Sequence, residues 1–207
     1  YPTFEDWRSR LTAFDAVAYI RGDEFRMRGE EGTQRLLAGY VSEDFFVVTG
    51  TRPQLGRTFS GGATDAAAVV ISDHVWDRRF GRDPAVLGTS LSTIEGTFTV
   101  VGVMPRGFRL PGWADVWLPL AALPASQSHV LMRRDLNVDA ETWGLVRAGV
   151  SDAEAQADLV RVVAELAREH PDIAGEFTSA LLTSARDREV GDSAAQQLRI
   201  IAAAVLL

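Results

Sequence analysis

The chain contains no cysteine, no lysine and only three histidines. Without cysteine there is no disulfide framework and no thiolate metal site. Without lysine a G-x-x-x-x-G-K-[ST] phosphate loop cannot form, and no G-x-G-x-x-G run occurs either. His74, His129 and His170 are far apart, and none has a partner at metal-ligand spacing. An excess of positive charge is missing too: 21 arginines face 28 acidic residues, a net charge of −7. A nucleic-acid partner is therefore not expected, because grouped cations drive polyanion binding. No signal-peptide pattern is present. The chain opens on Tyr1 and not on Met, so it reads as a piece of a longer protein.

What remains is ordinary globular material. Hydrophobic residues make up 46% of the 207, enough to bury a sizeable core. The organising stretch is TFTVVGVMPRGFRLPGWADVWLPL, Thr97 to Leu120. It reads as a buried strand, a Pro-Gly turn and a second short extended segment.

Taken in order, Thr3 with Asp6 has capping-box spacing before an apolar face of Phe4, Trp7 and Leu11. Extended segments are expected at 16–21, 25–28 and 34–41, the first two turning at Gly22-Asp23. Ser42 is placed to cap a short helix anchored by Phe45 and Phe46. The run 67–71 suits a buried strand, and Ser72 starts a helix that Gly81 ends. Glu95-Gly96 between 89–94 and 97–103 signals a hairpin. Residues 121–137 read as a loop and 143–148 as a strand.

Ser151 with Glu154 is a capping box for the clearest helix, 151–170, with an apolar stripe of Ala155, Leu159, Val162, Val163 and Leu166. Arg161 and Glu165 form an i,i+4 pair on its other side, worth roughly 0.3 kcal/mol. A strand is expected at 177–182. The last segment, 194–207, has helical composition and ends on IIAAAVLL, Ile200 to Leu207. Spanning a bilayer takes about 20 apolar residues, so this run is either a core helix or a membrane helix cut short.

Chemistry is scarce. Ser42 and Ser72 stand outside any G-x-S-x-G elbow. The acidic pairs Glu5-Asp6, Glu30-Glu31 and Glu43-Asp44 lie at helix starts or turns, where carboxylates are common. No catalytic residue, cofactor site or metal site is expected. Trp113 and Trp117, beside Pro111 and Pro119, are the candidate ligand groove, since exposed aromatic patches mark binding sites.

Three longer stretches carry a resemblance. They are YVSEDFFVVTGTRPQLGRTF (Tyr40 to Phe59), VVISDHVWDRRFGRDPAVLG (Val69 to Gly88) and FTVVGVMPRGFRLPGWADVWLPL (Phe98 to Leu120). Together they resemble the extracytoplasmic core domain of MacB/FtsX-type ABC transporter permeases, which lies between the first and second transmembrane helices. The resemblance covers nearly the whole chain. It implies an α+β fold with a porter-like βαβ lobe at 1–48 and 138–199 and a smaller mixed α/β lobe inserted at 49–137. It also implies that 200–207 begins a truncated transmembrane helix.

The role it implies is mechanical and not enzymatic. The domain would transmit ATP-driven conformational change across the membrane, in efflux, lipoprotein release or envelope signalling. Its partners would be a separate ATP-binding subunit or domain, reached through flanking transmembrane helices, and a second permease domain. Its place would be the bacterial cytoplasmic membrane, facing the periplasm or the cell exterior. A second reading is a soluble periplasmic module that binds lipid or peptide at the Trp113/Trp117 groove. A third is a hydrolase dependent on Asp73, Glu95 or His129.

Overall fold

A computed structural model describes residues 1–29, 32–62, 65–133, 140–171, 180–184 and 200–205. Its longest strand, β1 (Phe14–Gly29), pairs with β2 (Gly32–Val41) over ten registered positions, from Ile20↔Val41 to Gly29↔Gly32. The turn expected at Gly22-Asp23 is not there. Gly22 instead lies inside β1, exposed, with the indole of Trp113 beside it: a Cβ on Gly22 would come within 3.2 Å of the ring. The glycine is a flat landing for an aromatic side chain.

Around this hairpin runs one mixed sheet. The other strands are β3 (Leu55–Gly56), β4 (Ala68–Ile71), β5 (Ser90–Ser92), β6 (Thr97–Val103), β7 (Val116–Pro119), β8 (Glu141–Val146), β9 (Ala180–Ser184) and β10 (Ile200–Val205). Their order is β3-β6-β4-β7-β2-β1-β8-β10-β9, with β5 on β6. The expected hairpin forms between β5 and β6, with Ser90↔Thr99 to Ser92↔Thr97 in register. Two pairings are parallel, β4 with β6 and β2 with β7. A parallel pair needs a crossover, and the helix α3 defined below supplies it between β4 and β6.

The helices are α1 (Pro2–Arg10), α2 (Phe45–Val48), α3 (Asp73–Phe80), α4 (Ala125–Leu131) and α5 (Asp152–Glu169). Alternation along the strands decides which pack where. Tyr19, Tyr40, Ile71 and Leu118 share one core with Phe4 of α1, Val75 of α3, Leu131 of α4 and Ala155 of α5. Ile20, Val41, Val70 and Trp117 share the other with Phe45, Phe46 and Val48 of the α2 turn. Trp7 of α1 closes a third cluster with Leu159, Val162, Val163 and Leu166 of α5.

Several local expectations hold and several need correcting. The Ser151–Glu154 capping box is complete, Ser72 accepts the Val75 amide, and Gly81 takes the left-handed conformation at φ 54°. At α1 the first helical position is Pro2 and Tyr1 precedes it without a side-chain cap, so Thr3 lies inside the helix. Ser42 does not cap α2 either: its hydroxyl accepts the Tyr19 amide at 2.9 Å, tying the end of β2 to β1. The loop expected at 121–137 contains α4, and its residues 134–139 lie outside the described ones.

Ile200–Val205 is a strand and not a helix. It pairs with β8 from Ile200↔Leu145 to Ala203↔Thr142, and with β9 on its other side. Periodicity cannot separate a strand from a helix in a short apolar run, and here the open edge of β8 supplies the backbone partners. Residues 177–179, 194–199 and 206–207 lie outside the described ones. Among the described residues no helix is long and apolar enough to cross a membrane.

Trp117 is the side chain on which the second core rests. It is fully buried, and its Nε1 donates to the Leu110 carbonyl at 3.0 Å. Trp117→Ala is expected to cost about 3–5 kcal/mol of unfolding free energy, measured by urea denaturation; a loss below about 1 kcal/mol would remove Trp117 from the core's foundation.

Candidate functional site

A surface cleft of about 770 Å³ lies between the start of α3 and the loop 105–115. Its walls include Asp73, Asp77, Arg82, Arg106, Arg109 and Trp113. The sequence dictates this arrangement locally. Ser72 ends β4 and caps α3, which places Asp73 in the first turn. Gly81 then reverses the chain and Arg82 follows with a positive φ of 62°, which turns its guanidinium back along the helix.

Arg82 grips Asp73 with two bonds of 2.8 and 3.2 Å and lies 4.7 Å from the centre of the Trp76 ring. Gln54 adds a third bond, from Nε2 to Asp73 Oδ1 at 2.8 Å. Its same Nε2 reaches the Met104 carbonyl at 2.6 Å. The Arg82 guanidinium holds the Asp73 carboxyl below its ordinary 3.8, burial works the other way, and Gln54 and Arg106 assist the lowering. A carboxylate so engaged is a fixed charge and not a proton acceptor.

Asp115 is committed as well. Its Oδ2 accepts the Leu37 amide at 3.0 Å, its own amide donates to the Leu37 carbonyl at 2.8 Å, and its carbonyl accepts the Ser72 amide at 2.9 Å. One residue thus joins β2, β7 and the cap of α3. The cleft's acids are occupied in structure, while Arg106 and Arg109 stand exposed on its rim.

The two tryptophans expected to line a groove separate. Trp113 is half-buried and reaches the cleft, whereas Trp117 has 0% exposure and touches no solvent. Position explains the difference: Trp113 lies in the loop before β7, whereas Val116, Trp117 and Leu118 form a strand buried on both faces. Asp73, Glu95 and His129 do not form a set. Asp73 is in the cleft wall, Glu95 is in the β5–β6 turn, and His129 is exposed on α4. Ser42 and Ser72 both accept backbone amides. Among the described residues no group of three or more His, Asp or Glu side chains is placed to hold a metal ion.

A second carboxylate was not singled out by the sequence. Asp65 is 1% exposed and accepts from the Ser60 amide at 2.6 Å, the Gly61 amide at 3.1 Å and Arg57 Nη1 at 2.9 Å. Burial opposes its charge, but the Ser60 amide and the Arg57 guanidinium outweigh burial and hold its carboxyl below 3.8. The available signal was the S-G-G-x-x-D spacing of a turn, in which an acid closes on its own loop.

Residues 1–162 match the family model described as the MacB-like periplasmic core domain. Among solved structures the chain is similar to the periplasmic region of MacB from Actinobacillus actinomycetemcomitans. That match has a TM-score of 0.59 at 15% identity and covers 82% of this chain and 73% of the other. It is also similar to the extracellular domain of the noncanonic ABC-type transporter YknZ from Gram-positive bacteria, with TM-score 0.59, 17% identity and coverage of 81% and 83%. A domain of a putative permease protein from Porphyromonas gingivalis matches with TM-score 0.61 at 18% identity, covering 98% and 77%. These likenesses show the α+β fold. No curated protein matches.

The Asp73 clamp has a pH signature. A carboxyl lowered in the folded state contributes stability that is whole above its unfolded value, and that is lost as pH falls through the folded one. Wild-type stability should therefore decline below about pH 4, and Asp73→Asn should flatten that acid limb while lowering stability at neutral pH. Unfolding midpoints across the acid range test this; an unchanged acid limb in the variant would show the clamp to be energetically silent.

Proposed function

The chain belongs to the MacB-like periplasmic core domain family, and from that membership we propose that it is the extracytoplasmic domain of an ABC transporter permease. In this role it carries ATP-driven conformational change from the membrane to structures outside it. The ATP-binding subunit or domain acts in the cytoplasm, flanking transmembrane helices relay its closure, and this domain moves with a second permease domain. The work served is efflux, lipoprotein release or envelope signalling at the bacterial cytoplasmic membrane.

The observation that carries the reading is the family match across residues 1–162. The engagement of the cleft's acids in structural bonds also favours a mechanical over a hydrolytic role. We further propose that 1–48 with 138–199 form the porter-like lobe and 49–137 the insert. The sheet is compatible with that division, because its β7, β4, β6, β3 and β5 side comes entirely from the inserted segment.

Because this chain has no cysteine, a single introduced thiol reports its side of the membrane. Met132 is 69% exposed. In the native permease, freed of other cysteines, Met132→Cys should react with a membrane-impermeant maleimide in intact cells or spheroplasts. Its reactivity should change when a hydrolysis-deficient ATPase partner traps ATP. Labelling only after the cytoplasmic membrane is breached would refute the extracytoplasmic placement, and nucleotide-independent labelling at several exposed positions would refute the transmission role.

A further inference from the structure

Positions 17, 19, 21, 23, 25 and 27 of β1 share one face. Val17, Tyr19, Phe25 and Met27 are buried there, but between them stand Arg21 and Asp23. Tyr19 is only 5% exposed, and its hydroxyl is buried without a hydrogen-bond partner. Nη1 of Arg21 is buried and unpartnered in the same way, as is Oε1 of Gln127 on α4. Such groups are rare in folded proteins, because each gives up water and gains nothing. Here three of them belong to one neighbourhood.

Other contacts fix the arrangement. Nε2 of Gln127 donates to Asp23 Oδ2 at 2.9 Å, which sets the amide's orientation and leaves Oε1 as the open acceptor. Tyr40 is the cross-strand partner of Arg21. Burial, joined for Tyr40 by the charges of Asp23 and Glu95, pushes the hydroxyls of Tyr19 and Tyr40 up to about 12 against the opposing charge of Arg21. Among the described residues Arg21 has no ion-pair partner, Asp23 included. Their Cα atoms are about 7 Å apart along the strand, and the Asp23 carboxylate is held by the Glu24 amide, which donates to Oδ1 at 2.7 Å, and by Gln127. Pairing of β8 with β1 stops at Ile20↔Glu141, so Arg21 lies just past the last registered pair. The seven-residue helix α4 meets the row through Gln127 and is anchored by Leu131 and preceded by Leu123, both in the same core as Tyr19 and Tyr40.

We infer that Tyr19, Arg21, Asp23 and Gln127 form a binding site for an α-amino acid in its zwitterionic form, admitted by displacement of α4. Arg21 and the Tyr19 hydroxyl donate to the α-carboxylate. The Asp23 carboxylate and Gln127 Oε1 accept from the α-ammonium. A simple carboxylate leaves the Gln127 acceptor unmet, and a simple amine leaves both donors unmet. One water molecule answers hydrogen bonds but does not neutralise two separated charges. The assignment is independent of the transport role and stands or falls without it.

The test is thermal unfolding of the protein with each proteinogenic amino acid in turn, followed by calorimetric titration of any that binds. At least one amino acid should raise the midpoint saturably, whereas acetate and methylamine, alone or together, should not. Arg21→Gln and Tyr19→Phe should each weaken binding by about tenfold or more; Tyr19→Phe keeps the packed ring and so leaves a folded protein to measure. Absence of a shift with every amino acid overturns the assignment. So does acetate acting as strongly as the amino acid, or Tyr19→Phe binding it undiminished.

Discussion

Everything in this fold depends on four parallel pairs between β2 and β7, from Ala38↔Val116 to Val41↔Pro119. They form the seam at which two halves of the sheet become one. On one side lie the hairpin of β1 and β2 with β8, β10 and β9; on the other lie β7, β4, β6, β3 and β5. Parallel pairing of so few residues is weak by itself, so the seam relies on what covers it. Trp117 closes one face, against Gly39 and the rings of Phe46 and Phe108. Tyr40 and Leu118 close the other, within the larger core. At the seam's end Asp115 takes the Leu37 amide and holds the cap of α3 through its own carbonyl.

A seam built this way has a mechanical consequence. Tightly packed interfaces do not deform continuously; they hold one arrangement or switch to another. In the proposed role, a displacement of β1 reaches β7 and the strands beyond it across the β2–β7 seam. Gly39 shows how close the tolerance is, since a Cβ there would lie 3.3 Å from the Trp117 ring. The expected behaviour is that of one body carrying displacement, with its engaged carboxylates at Asp73, Asp65 and Asp158 acting as fixed ties. Asp158 illustrates the kind: it accepts the Thr12 and Ala13 amides at 2.6 and 2.8 Å and so binds α5 to the entry of β1.

Much of this was legible in the sequence wherever one local rule decided the outcome. The Ser151–Glu154 box, the Ser72 cap with Gly81, the buried run of β4 and the Glu95-Gly96 hairpin each rest on a few neighbouring residues. The misses share another cause: a distant partner outvoted the local signal. Gly22-Asp23 looks like a turn until Trp113, some ninety residues on, lies beside the glycine. Ser42 looks like a cap until the Tyr19 amide claims it. Ile200–Val205 looks like a helix until the edge of β8 offers it partners. At the candidate site the sequence marked Trp113 and Trp117 alike, and only the burial of β7 on both faces, with Trp113 left in the loop before it, separates them. The row of Tyr19, Arg21 and Asp23 was hidden by the turn expected at Gly22-Asp23, and its meaning required the unmet hydrogen bonds.

The central claim is that this domain moves as a unit in response to ATP on the other side of the membrane. The most direct measurement is the distance between spin labels at Ile94, an exposed hairpin position at 48%, on the two paired permease domains of the assembled transporter. Distributions would be recorded without nucleotide and with ATP trapped by a hydrolysis-deficient partner. A clear displacement of the distance distribution between the two states is expected. Identical distributions in both states, in a transporter shown to bind ATP, would contradict the account.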